Sequence, residues 1–123
     1  MSNRNNNSVA FDVSCGIFTR VVHSGAGWCS YVEIHQKAPK GAPSWFFEEC
    51  EYEDGDAFEE IVDLHQWHKG VTFNCVRGNP GTFVAVFGDD YCHYGDYCYS
   101  KEDVERDVLL KAEAVRDFIK SLR

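Results

Sequence analysis

The sequence predicts an α+β fold, a single domain with an antiparallel sheet of about five or six strands and two helices, the C-terminal helix packed on the sheet. Three observations carry this prediction. The chain has 123 residues, of which 44% are hydrophobic and 15% aromatic, enough for one core and too few residues for two domains. Short β-branched and aromatic runs alternate with Gly-containing breaks, and the last 23 residues carry one continuous apolar stripe at helical spacing.

Taken in order, residues 1–8 are Asn-rich and lack apolar periodicity, so they read as a disordered tail ahead of a single domain over 9–123. Runs at 9–14, 17–22 and 28–35, separated by Gly16 and by Ser24-Gly25-Ala26-Gly27, predict a β-meander. Pro39, Gly41 and Pro43 make a loop, and the alternation of apolar and acidic residues over 45–53 predicts a strand with one solvated face. Asp56 with Glu59 resembles a capping box, and Ala57, Phe58, Ile61, Val62, Leu64 and His68 recur at helical spacing, predicting a helix over 57–69 closed by Gly70. Runs at 71–77 and 82–87 about Gly78-Asn79-Pro80-Gly81 read as a hairpin of two central strands. Ser100 with Asp103 opens the last helix. Its stripe is Val104, Val108, Ala112, Val115, Phe118, Ile119 and Leu122, with its six acids and six bases expected on the other positions.

The net charge of −8 is concentrated in one window. Residues 48–63 hold nine acids and no base, whereas residues 101–123 hold six of each. A chain that needs charge only for solubility intersperses its signs, so this segregation suggests an acidic surface. The residues that would form it are Glu48, Glu49, Glu51, Glu53, Asp54, Asp56, Glu59 and Glu60, with Tyr52 and Phe58 as aromatic anchors. Acids at a strand edge and at a helix N-terminus also occur for structural reasons alone. Divalent-cation binding by Asp54, Asp56 and Glu59 is the weaker reading, because the spacing departs from the twelve-residue calcium loop.

A second group of residues has the chemistry of metal ligands. Tyr91-Cys92-His93-Tyr94-Gly95-Asp96-Tyr97-Cys98-Tyr99 is nearly symmetric about Gly95, and as a hairpin it would set Cys92 opposite Cys98. With Cys75 and one of His65, His68 or His93, these would make a zinc site, although no C-x-x-C spacing supports it. His65 and His68 at the end of the first helix also suit its C-terminal dipole. The same Tyr-, His- and Cys-rich stretch could line a small-molecule or catalytic pocket. Cys15, Cys29 and Cys50 fall in apolar runs and read as core.

Function follows from the charge. Only six bases lie outside the final helix, so direct nucleic-acid binding is disfavoured. No export signal and no membrane-spanning run is legible, which predicts a cytoplasmic protein with reduced thiols. The reading is non-enzymatic: a small acidic protein that binds a basic protein partner and, in the manner of an inhibitor or immunity protein, could occupy its nucleic-acid-binding surface. No cofactor is expected on this reading, and zinc is the cofactor of the alternative.

Overall fold

The computed structural model describes residues 8–36, 56–78 and 82–121, with residues 56–58 described in their backbone alone. Five strands are described: β1 (Ser8–Asp12), β2 (Ile17–His23), β3 (Trp28–His35), β4 (Phe73–Arg77) and β5 (Val84–Tyr91). They form one sheet in the order β1-β2-β3-β5-β4 with every neighbouring pair antiparallel. Two α-helices accompany it, α1 (Asp56–Val62) and α2 (Lys101–Ser121). Residues 1–7 of the predicted tail and the predicted strand at 45–53 lie outside the described residues, whereas Ser8, expected as the last tail residue, pairs with Arg20 and opens β1.

The predicted meander is β1-β2-β3. Asp12 accepts from the Cys15 N–H at 3.2 Å and Gly16 adopts a left-handed φ of 74°, so the chain reverses sharply into β2. Ser24 closes the next turn on the Gly27 carbonyl, with its N–H at 2.9 Å and its hydroxyl at 3.1 Å. The hairpin of β4 and β5 also forms. Of these two, however, only β5 is interior among the described strands, because it inserts between β3 and β4 and leaves β4 at the edge.

Alternation along β2, β3 and β5 turns Ile17, Val32, Ile34, Ala85 and Phe87 to one face. Helix α2 lies across β2 and β3 and buries Val104, Val108, Ala112, Val115 and Ile119 against that face. Burying each of the three valines and Ile119 contributes about 1.5–3 kcal/mol before entropy is counted, and the Ala112 methyl about 0.8 kcal/mol or less. The helix opens on a reciprocal box: Ser100 Oγ accepts the Asp103 N–H at 3.1 Å, and Asp103 accepts the Ser100 N–H at 3.0 Å. One residue breaks the predicted pattern. Lys111, expected at the surface, is 2% exposed, because its position falls between Val108 and Ala112 on the sheet-facing side.

Helix α1 ends at Val62, seven residues before the predicted stop. Another turn would need the His65 N–H on the Ile61 carbonyl. Instead the Leu64 N–H takes that carbonyl at 3.2 Å and the buried Trp67 indole N–H takes it at 2.8 Å. Trp67 thereby reaches the core and stacks on Phe87 at 6.5 Å, and left-handed Lys69 and Gly70 complete the stop. No helix of the described residues is long and apolar enough to cross a membrane.

Candidate functional site

Most of the predicted acidic face, Glu48, Glu49, Glu51, Tyr52, Glu53 and Asp54, lies outside the described residues. Asp56 and Phe58 belong to the first turn of α1. Glu59 and Glu60 follow on that helix and are exposed, as is Asp63 immediately after it. Glu59 and Asp63 are four residues apart and share a side of the helical turn, where like charges repel unless something cationic approaches.

The segment after β5 is not the predicted hairpin. Gly95 at φ 93° leads into a 3-10 turn, Asp96–Cys98, and Cys92 and Cys98 do not face one another. Both cysteines are exposed: the Cys92 sulfur is 4.0 Å from Ser24 Oγ, and the Cys98 thiol points back to the Gly95 carbonyl at 3.5 Å. Cys75 sits on edge strand β4 opposite Val86, on the sheet face away from α2. The four-ligand set of Cys75, Cys92, Cys98 and a histidine is therefore not assembled. The physical reason is Asp96. Its buried carboxylate accepts the His93 backbone N–H at 2.9 Å and pulls the chain into a tight turn where a hairpin would have needed extended backbone.

Around that carboxylate the structure gathers a cluster that the sequence pattern did not disclose. His68 Nε2 lies 2.9 Å from Asp96 Oδ1, and His93 Nδ1 lies 3.2 Å from Asp96 Oδ2. One nitrogen of each imidazole and one oxygen of Asp96 all fall within 4.8 Å of one another. The His68 ring is fixed by stacking on Tyr91, with centroids 4.1 Å apart and planes at 13°, and by the edge of Tyr99 at 5.2 Å. Lys69 Nζ stands 3.7 Å from Asp96 on the solvent side, and Asp90 approaches His93 at 3.5 Å. Burial would raise the Asp96 carboxyl, but the His93 N–H and the His68 imidazole outweigh it and hold the group at about 2.

Behind this cluster is a buried charge pair. Lys111 Nζ, rising from α2, meets Asp89 of β5 at 2.7 Å and donates to Ser30 Oγ at 3.0 Å and to Tyr91 Oη at 2.8 Å. Ser30 faces Asp89 across the β3–β5 register and donates to it. Asp89 also accepts the His68 backbone N–H at 2.6 Å, and the Tyr91 hydroxyl donates to Asp107 at 3.0 Å. Burial lowers the affinity of Lys111 for its proton and Asp89 opposes that shift, while burial, Asp89 and Asp107 together push the Tyr91 phenol up. This network was missed at the level of sequence, although two signals for it were present: an Asp at core parity between Phe87 and Tyr91, and a Lys inside the apolar stripe of α2.

Tyr91 borders two depressions. The larger, about 450 Å³, is lined by His23, Trp28, Tyr91, His93, Tyr97 and Tyr99, and Asp96 also contributes to it. The smaller, about 280 Å³, lies beside Gln66, His68, Lys69 and Asp107. Tyr94 and Tyr97 project into solvent at the rim, 101% and 92% exposed. Cys15, read as core, is buried at 1%, and Cys29 is half-buried. No family model, curated protein or solved structure matches this chain.

Proposed function

We propose that this protein is a binding protein whose carboxylate-rich segment, residues 48–63, engages a cationic surface of a partner protein. The observation that carries the reading is the segregation of charge: nine acids and no base fall in sixteen consecutive residues of a chain with net charge −8. The exposure of Glu59, Glu60 and Asp63 supports it. The Glu59 and Asp63 carboxylates, four residues apart, repel each other in the free protein, and a basic partner relieves that repulsion on contact. A field of one sign also accelerates diffusional encounter, so the charge acts on the association rate before it acts on the final complex. A partner that uses its basic groove for phosphates would be blocked by the same contact.

The test is kinetic. A partner is captured by cross-linking from cell extract and identified, and its association with the purified protein is followed at low and high salt. Replacing Glu51, Glu53, Asp54 and Asp56 with their amides should slow association about tenfold or more at low salt and leave little difference at high salt. Equal rates for the two proteins at low salt would sink the proposal.

A further inference from the structure

The geometry points to a zinc site formed by His68, His93 and Asp96, with a coordination position left open toward the aromatic depression. Zinc bonds to imidazole nitrogen and carboxylate oxygen at about 2.0–2.2 Å, which places tetrahedral ligand atoms about 3.3–3.5 Å apart. Here His68 lies 2.9 Å from Oδ1 and His93 3.2 Å from Oδ2 of the same carboxylate, and one ligand atom from each of the three residues falls within 4.8 Å of the others. On this proposal His93, the more exposed of the two imidazoles, turns about its side-chain bonds to close the set from 4.8 Å to zinc spacing. The site is supported from behind as metal sites usually are. The His68 ring stacks on Tyr91 and meets Tyr99 edge-on, and the His93 backbone N–H holds the Asp96 carboxylate in orientation through Oδ2, leaving Oδ1 for the ion.

The donor set selects the metal. Two imidazoles and one carboxylate suit a borderline divalent ion such as zinc, whereas calcium and magnesium take oxygen ligands. Two neutral histidines and one carboxylate leave the zinc complex with one net positive charge. Lys69, 3.7 Å from Asp96 and half exposed, must therefore swing outward as the ion enters, which its long solvent-facing chain permits. Three protein ligands leave the fourth position of a tetrahedral ion for water. His93 and Asp96 both line the 450 Å³ depression, so that water faces a solvent-accessible aromatic recess. The proposal is independent of the acidic segment and uses none of its residues.

Titration calorimetry of the full reduced chain, stripped with chelator and dialysed, against zinc chloride provides the test. One ion per chain should bind with sub-micromolar affinity, and His93→Gln, on a side chain 38% exposed, should weaken binding about 100-fold or more. A triple variant with Cys75, Cys92 and Cys98 changed to Ser should bind zinc as the parent does. Cobalt loaded in place of zinc reports on the ligands without any substitution, and its spectrum should lack a thiolate charge-transfer band. No binding to the parent protein, full binding by His93→Gln, loss in the triple cysteine variant, or a thiolate band would each overturn the assignment.

Discussion

Lys111 is a cation 2% exposed in the middle of a helix–sheet interface, and its ammonium is satisfied by Asp89, Ser30 and Tyr91. Taking two charges out of water is costly, so such a pair does not add much stability over an apolar pair of equal volume. Removing one member is different, because the other remains buried and unpaired. Lys111→Met should therefore lower the free energy of unfolding by about 3–5 kcal/mol, read from urea denaturation. Adding Asp89→Leu should restore part of that loss. It should not restore all of it, since Asp89 also accepts from Ser30 and from the His68 N–H, which also holds the His68 segment in place. A Lys111→Met protein within 1 kcal/mol of the parent would mean the pair is solvated in a way its burial does not suggest.

At the scale of elements, the end of α1 decides where His68 stands. Periodicity carried the helix on to residue 69, since Leu64 and His68 continue the spacing of Phe58 and Ile61. The helix stops because Trp67 gains more by entering the core than by remaining on a helical turn, and its indole N–H then finds the Ile61 carbonyl. Trp67→Phe keeps an aromatic ring but removes that donor together with part of the indole volume. It should cost about 2 kcal/mol or more, and hydrogen exchange should show faster opening of the Val62 and Leu64 amides than in β3 or β5. Exchange at Val62 and Leu64 unchanged from the parent would show that the indole bond does not set the helix end.

Across the whole molecule, the two faces of the sheet carry different chemistry. The face under α2 is mainly apolar, with Thr19 and the Lys111 network among its polar groups, while the opposite face holds Glu33 with Arg20 at 3.7 Å, His35 at 3.3 Å and Ser8 at 3.4 Å. Burial would raise the Glu33 carboxyl, but the His35 hydrogen bond and the Arg20 and Arg77 charges prevail and lower it from its ordinary 4.5. A carboxyl lowered by folding contributes stability that is complete above its unfolded value and is lost as pH falls through that value toward the folded one. Urea midpoints should thus decline below pH 4.5, and Glu33→Gln should flatten that decline while lowering stability at neutral pH. A slope unaltered by Glu33→Gln would assign the acid sensitivity elsewhere. Local pattern determined a good deal of this protein: the meander with its Gly turns, the β4–β5 hairpin, the Ser100–Asp103 box and the apolar stripe of α2 all depend on neighbours a few residues away, where period and turn chemistry speak directly. Tertiary structure alone decided the insertion of β5 beside β3, the early end of α1 and the turn at Asp96. It also brought His68, His93 and Asp96 together from segments up to 28 residues apart. These depend on which buried group satisfies which partner across the fold, and a polar residue's partner in space has no periodic trace in the chain.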